Sequence, residues 1–295
     1  LPSSPRLADI ELPRTTGQLR SAAAAAREGS WAMPTFDTAS GIRSMYGPIG
    51  PVAVFGPNNF PLAFGSISGG DFAAAVAAGN PVIAKANSSH PGTTRLLAEQ
   101  AQLAAEETGM PAGTVQLIYR TSHADGERLV ADPRNGATAY TGSRSAGLKL
   151  KAAADAAGKP IYLELSSVNP MILLPGALEE RSEDIAEELA GSCLMGTGQF
   201  CTNPGLVMLV DGEATSAFIE AVAQGFQEAP VGTLLSRSVQ SSLQNNLSIL
   251  VEAGAQLLAG NTSVEEDRCC FANTLLQITG DQFVAAPETM QTEAF

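Results

Sequence analysis

Short β-prone runs alternating with alanine-rich helical stretches constrain this chain more than any other feature. Val52-Ala-Val-Phe55, Pro81-Val-Ile-Ala84, Thr114-Val-Gln-Leu-Ile-Tyr119, Ala137-Thr-Ala-Tyr140 and Ile161-Tyr-Leu-Glu-Leu165 read as strands. Residues 62–78, 93–108, 124–131 and 145–157 read as helices between them, and the alanine run Ala22–Ala26 reads as helix rather than low complexity. Strands joined by helical crossovers make a parallel sheet covered on both faces, so the class is α/β. A second run follows, with a helix over 182–196, a strand at Leu206-Val-Met-Leu-Val210, helices near 213–228 and 238–253, and strands near 256 and 272. The stretch Ser166-Ser-Val-Asn-Pro170 interrupts the strand pattern and sets the boundary: one domain over 1–165 and another over 166–295.

Composition excludes several classes. The 295 residues, 44% apolar, are enough to bury the cores of about two domains. A net charge of −13 argues against a nucleic-acid partner, whose phosphates require basic patches. No apolar run reaches the roughly 20 residues that span a bilayer, so no membrane is expected. The opening Leu1-Pro-Ser-Ser4 lacks the basic-then-apolar pattern of a signal peptide. Cysteines at 193, 201, 269 and 270 have neither metal-ligand spacing nor the density of a disulfide framework, which fits the reducing cytoplasm and no metal. With only His90 and His123 present, chemistry here must proceed largely without imidazole.

Several motifs carry chemical potential, each with a bland reading beside it. Gly196-Thr-Gly-Gln-Phe-Cys-Thr-Asn-Pro-Gly205 sets a thiol, Cys201, amid turn residues, whereas a cysteine is more often a small buried filler. Tyr140-Thr-Gly-Ser-Arg-Ser-Ala-Gly147 runs from a strand into a helix. Its small residues suit a pyrophosphate at the helix N-terminus, or they serve the turn alone. Lys85 closes a strand where open α/β sheets bind ligands, or it is a surface lysine. In Phe55-Gly-Pro-Asn-Asn-Phe-Pro61, an asparagine amide either donates to an oxyanion or shapes a turn. Glu164 lies between two leucines, either as a buried acid with the raised pKa of a general base or as the outward residue of an alternating strand.

Taken together and in order, these motifs closely resemble those of the aldehyde dehydrogenase superfamily from about Tyr46 to Phe295. Glu-Leu-Ser-Ser-Val-Asn-Pro at 164–170 and Gly-Gln-Phe-Cys-Thr-Asn-Pro-Gly at 198–205 are most similar to the α-ketoglutarate semialdehyde (2,5-dioxopentanoate) dehydrogenase branch, near NADP-dependent fatty aldehyde dehydrogenases. The resemblance implies a Rossmann-like cofactor domain followed by an α/β catalytic domain. It implies Cys201 as nucleophile, Glu164 as base and Asn59 as oxyanion donor. It places Phe55, Pro57, Lys85, Ser88, Gly142, Ser143, Gly147 and Glu293 at the cofactor. Phe200, Asn58 and the pair Ser166-Ser167 depart from many relatives but stay within that branch. The resemblance also implies further chain on both sides: a cofactor domain without its first part, a catalytic domain without its last part or its oligomerisation hairpin, and a homodimer or homotetramer for the whole.

Cofactor choice turns on Ser88. NAD-preferring relatives commonly carry a glutamate three residues beyond the lysine, and its charge would repel a 2′-phosphate. Serine removes that repulsion, while Lys85, Arg120 and His123 offer positive charge, so NADP is expected with NAD still usable. The competing reading is Ser88 as an N-cap before a helix, or a turn residue, with no part in cofactor binding. Two rival functions are a catalytically dead relative and a thiol acyltransferase. Every chemical position is filled, which argues against the first. Both histidines fall in the cofactor half, which argues against the second. Cys201→Ser should abolish aldehyde oxidation, followed as absorbance of the reduced nicotinamide, while Cys193→Ser, Cys269→Ser and Cys270→Ser should keep it; the reverse pattern would overturn the assignment.

Overall fold

Strand β3 (Val52–Phe55) is buried at all four positions, and its alternate side chains enter two different cores. In this computed structural model, which describes residues 6–262, 264 and 268–294, β3 is the middle of a five-stranded parallel sheet. Leu1–Ser4, read above for a signal pattern, and Phe295, where the resemblance ends, lie outside the described residues. The chain divides into two compact units, Leu1–Leu165 and Ser166–Phe295.

In the first unit, helix α1 (Leu12–Glu28) follows a π-helical segment, Arg6–Glu11, and the two-residue strands β1 (Thr35–Phe36) and β2 (Arg43–Ser44) pair antiparallel. Then come β3, α2 (Gly70–Ala77), β4 (Val82–Lys85), α3 (Pro91–Glu107), β5 (Val115–Ile118), α4 (His123–Ala131), β6 (Ala137–Gly142), α5 (Arg144–Ala156) and β7 (Ile161–Leu165). The strand order is β5-β4-β3-β6-β7, so the chain runs outward from β3 in one direction and returns to its other side. Val52 and Val54 pack with Phe72 of α2 and Ala98 of α3 on one face. Ala53 and Phe55 pack with Val130 of α4 and with Leu150 and Ala154 of α5 on the other. A strand covered on both faces must be apolar throughout, as Val-Ala-Val-Phe is.

The second unit has a parallel pair, β8 (Pro170–Leu173) with β9 (Leu206–Leu209), and an antiparallel pair, β10 (Gln256–Ala259) with β11 (Leu275–Gln277). Helices α6 (Pro175–Leu194) and α7 (Glu213–Glu228) pack together through Ile185, Leu189, Phe218, Val222 and Phe226. Helices α8 (Arg237–Glu252), α9 (Gly280–Ala285) and α10 (Pro287–Met290) complete it.

Three elements differ from the sequence reading. The helix expected over 62–78 begins only at Gly70, and the residues before it are turns. Backbone approach explains the delay: a Cβ on Gly65 would lie 2.5 Å from the Pro61 carbonyl oxygen, and one on Gly69 2.8 Å from Phe64. Pro170 opens a strand rather than ending an interruption, because Met171 and Leu173 find partners in β9 that no local pattern reveals. Helix α6 has a first segment from Pro175 that the sequence reading did not give; a break at Arg181, where φ is −151°, separates it from the helix read from 182.

Gly56, just beyond β3, is the closest of these approaches to the sheet edge. A Cβ there would meet the Ser66 amide nitrogen at 2.6 Å and the Phe64 carbonyl oxygen at 2.8 Å, both backbone atoms. Gly56→Ala should therefore lower the denaturation midpoint by about 1–3 kcal/mol of stability. Gly92→Ala, in open space near the start of α3, should leave it unchanged or raise it slightly.

Candidate active site

Sheet register gathers one set of candidate residues. Phe55 pairs with Lys85 of β4 on one side and Tyr140 of β6 on the other; Glu164 of β7 pairs with Thr141, and Leu165 with Gly142. Lys85, Phe55, Gly142 and Glu164 thus stand at the carboxyl edge of one parallel sheet, where the order reverses between β3 and β6. Open α/β sheets bind ligands at such a switch point.

The loops leaving that edge are tied to one another. Asn87 Nδ2 donates to the Gly56 carbonyl at 3.1 Å, His90 Nε2 lies 3.2 Å from the Pro57 carbonyl, and Ser66 Oγ donates to the Lys85 carbonyl at 2.9 Å. His90 therefore holds the loop carrying Pro57. The Phe55 ring is buried against Tyr140, so this residue meets the edge through its backbone. Ser88 is exposed in a turn, as its turn reading has it, while His90 and not Ser88 occupies the N-cap position of α3. Ser143 is the N-cap of α5 without a side-chain capping bond, while Tyr140 Oη donates to its carbonyl. Gly147 is set by packing, since a Cβ would lie 2.4 Å from Leu165 Cδ2.

Charge at this edge is unbalanced toward the positive near β4. Burial, and then the Arg120 guanidinium, push the Lys85 pKa down, and among the described residues neither side chain forms a salt bridge. Two unneutralised cations suit an anionic group of a ligand. Near β7 the sign is opposite. Glu164 is exposed, on the same strand face as exposed Tyr162, which is the outward-facing alternative of the sequence reading. Asp71 of α2 touches solvent, yet enough protein surrounds its carboxyl to raise its pKa, and the Glu164 charge adds to the rise. Asp71 carried no sequence signal. Asn59 lies half-buried in a bend four residues beyond β3, its carbonyl accepting from the Arg6 guanidinium.

The second unit holds Cys201 in a turn after a short 3₁₀ segment, Met195–Gly198, in which Gly196, Thr197 and Gly198 all have positive φ. Such a backbone satisfies its own carbonyls only in part, the Gln199 backbone amide donating to the Gly196 carbonyl at 3.3 Å, and side-chain amides supply further partners. Asn169 Nδ2 donates to the Cys201 carbonyl at 2.8 Å and to the Asn203 carbonyl at 2.9 Å. Asn203 Nδ2 donates to the Gly198 carbonyl at 2.7 Å and the Cys193 carbonyl at 2.8 Å. Gln199 Oε1 accepts from the Leu235 amide at 2.8 Å. The thiol thus rides on a loop held from several sides. Asn169 and Asn203 stand in the motifs quoted above without this work assigned to them; Asn203 lies beside the thiol, whereas Asn169 reaches the loop only through the fold.

Glu293 accepts at its carbonyl from Asn246 Nδ2 and helps line a cavity of about 640 Å³ inside the second unit. That cavity is walled mainly by apolar residues such as Leu189, Val207, Phe218 and Leu275, with Cys193 also at its wall; Cys201 is not among its lining residues. The first unit therefore brings Phe55, Pro57, Asn59, Lys85, Ser88, Gly142 and Glu164 to one sheet edge and its loops, with Ser143 and Gly147 at the start of α5 beside it, and the second unit carries Cys201 and Glu293.

Residues 3–291 match the sequence profile described as the aldehyde dehydrogenase family. The chain is 38% identical over 288 residues to alpha-ketoglutaric semialdehyde dehydrogenase 2 of Azospirillum brasilense, covering 94% of this chain and 55% of that protein. It is 37% identical over 267 residues to alpha-ketoglutaric semialdehyde dehydrogenase of Acinetobacter baylyi, covering 86% of this chain and 50% of that one. It spans about half the length of the curated relatives it matches. Among solved structures, glyceraldehyde-3-phosphate dehydrogenase GapN from Methanocaldococcus jannaschii, complexed with NADP, shares the fold with a TM-score of 0.77 at 24% identity, over 97% of this chain and 62% of that one.

The remaining cysteines differ physically from one another. Cys193 is half-buried, its Sγ donates to the Pro204 carbonyl at 3.3 Å, and burial pushes its pKa up to about 11. A neutral thiol is a poor nucleophile, so native protein at pH 8 should resist alkylation at Cys193. The same shift makes the fold lose stability as pH climbs from the ordinary thiol value toward about 11, because only the unfolded chain releases this proton there. Urea midpoints should fall across that window in the wild type and less in Cys193→Ala; identical slopes would overturn the burial argument.

Proposed function

The chain belongs to the aldehyde dehydrogenase family, and on that footing we propose that it serves the NADP-dependent oxidation of an aldehyde to a carboxylic acid, with α-ketoglutarate semialdehyde as substrate. The observation that carries the reading is a lone turn-borne thiol in a chain so similar to two semialdehyde dehydrogenases. Residues 1–165 act as the cofactor domain and 166–295 as the catalytic thiol domain. NADP fits the residues at the sheet edge: Lys85 and Arg120 are cations without ion-pair partners among the described residues, and exposed Ser88 has no charge to repel a 2′-phosphate. Phe55, Pro57, Gly142, Ser143 and Gly147 border the same cofactor, and Glu293 meets its nicotinamide ribose. When bound, the nicotinamide supplies the hydride acceptor.

Every other step belongs to the protein. Cys201, as thiolate, attacks the aldehyde carbon. Its own backbone N–H and the Asn59 amide hold the resulting oxyanion, donors worth about 3–4 kcal/mol each in comparable sites. Oxidation leaves a thioester on Cys201, and Glu164 takes a proton from the water that releases the acid. An exposed carboxylate at a strand end reaches water readily, as this role requires. Asn169 and Asn203 keep the thiol loop in one conformation throughout. The same proposal places the protein in the cytoplasm, whose reducing conditions keep cysteines as thiols, and assembles it as a homodimer or homotetramer. Among the described residues no helix is long and apolar enough to cross a membrane.

A panel of aldehydes with NADP and NAD tests this reading. Semialdehydes bearing a carboxylate should exceed long aliphatic aldehydes in kcat/KM; the opposite order would move the substrate to fatty aldehydes. Ser88→Glu should cut kcat/KM with NADP about tenfold or more while sparing NAD, each tenfold being roughly 1.4 kcal/mol. An unmoved preference would sink the cofactor assignment.

A further inference from the structure

Glu11 has no exposed surface, yet it is a carboxylate far in sequence from any motif discussed above. Burying such a group costs several kcal/mol unless it is paired and hydrogen-bonded on every side. Its partners explain why it is kept. Arg6 approaches one oxygen at 3.0 Å, and the other accepts from the backbone N–H of Leu62 at 3.1 Å and of Ala63 at 3.4 Å. Those two amides belong to the loop that leaves β3 and carries Asn59.

The same helical segment grips this loop at further points. The Arg6 guanidinium donates to the Asn59 carbonyl and stacks over the Phe60 ring at 4.5 Å. Arg14 lies over the Phe64 ring at 4.6 Å, and Gln18 Nε2 donates to the Ala63 carbonyl at 3.0 Å. Thr15 Oγ1 donates to the Glu11 carbonyl at 2.8 Å, holding the entry to α1 rigid behind the carboxylate. Residues 59–64 therefore have little regular structure of their own and are held from outside, by side chains about 45 to 55 positions earlier in the chain.

We propose that Glu11, with Arg6, is a positioning residue that holds the Asn59 loop and so aims the Asn59 amide. This rests on the reading of Asn59 as oxyanion donor given above. An oxyanion donor works only if its direction is set before the charge forms, and an amide on a loose bend loses that advantage. Glu11 touches no substrate; it neutralises the Arg6 charge and fixes two consecutive loop amides. Its removal should therefore weaken turnover more than cofactor binding, because the grip falls on residues 59–64, whereas Lys85 and Ser88 stand on β4 and its following turn.

The experiment compares Glu11→Gln, Arg6→Lys, Asn59→Ala and the Glu11→Gln/Asn59→Ala double variant in the otherwise unaltered protein. Glu11→Gln should lower kcat about tenfold or more, with the dissociation constant for NADP changing less than about threefold. In the Asn59→Ala background the same substitution should have little further effect, since both act through one amide. Arg6→Lys, which keeps the charge and loses the planar fork, should show a smaller loss of the same kind, and it carries the test should Glu11→Gln not fold. Amide exchange at Leu62 and Ala63 should accelerate in Glu11→Gln. Unchanged kcat, equal losses in both backgrounds, or unchanged exchange would each overturn the proposal. A silent Asn59→Ala with accelerated exchange would instead remove the oxyanion reading of Asn59 and with it the catalytic role of Glu11, while upholding the grip on the loop.

Discussion

Burial of β3 on both faces is the constraint from which the first unit follows. Its four residues divide between two cores, so neither face can carry a polar side chain, and chemistry is displaced to the strand's carboxyl end. Parallel pairing with β4 and β6 then brings the ends of those strands to the same level. Lys85, Gly142 and, one strand further, Glu164 arrive there by strand register. Gly56 belongs to the same logic, because the chain must turn back against Phe64 and Ser66 immediately after Phe55.

Beyond the strand ends, order is maintained by side chains that satisfy backbone groups. A buried carbonyl or amide left without a partner costs about 1–3 kcal/mol, so an irregular loop persists only where partners are supplied. In the first unit Glu11, Gln18, Asn87 and His90 supply them; in the second Asn169, Asn203 and Gln199 do. Amides predominate around Cys201, where left-handed residues turn carbonyls away from any ladder. Each of these side chains fixes a loop that bears a chemical group, and none needs to touch a ligand to do so.

Local pattern was enough for elements whose residues meet nearby partners. The bounds of β3 and β7 follow the apolar runs, and α7 follows its amphipathic period, since strand and helix preferences are set within a few residues. Where a segment depends on a distant surface, pattern failed. The run 62–69, read as the start of a helix, carries Gly65 and Gly69 and is folded into turns by close backbone approach, and β8 is a strand only because β9 lies beside it.

The candidate chemistry divides in the same way. Cys201, Glu164, Asn59 and Lys85 were legible because a thiol in turn residues, an acid at a strand end, an amide after a strand and a cation closing one are visible in the order of residues themselves. That Glu164 faces outward, that Ser88 stands in a turn with His90 at the helix cap, and that Cys193 has its pKa raised to about 11 were decided by tertiary structure. Exposure and desolvation depend on what packs against a side chain, which the chain's linear order does not state. Glu11 is the sharpest instance. Near the start of a helix it reads as one more solvated acid, and only the fold, by placing Arg6 and the amides of Leu62 and Ala63 around it, makes a fully buried carboxylate stable.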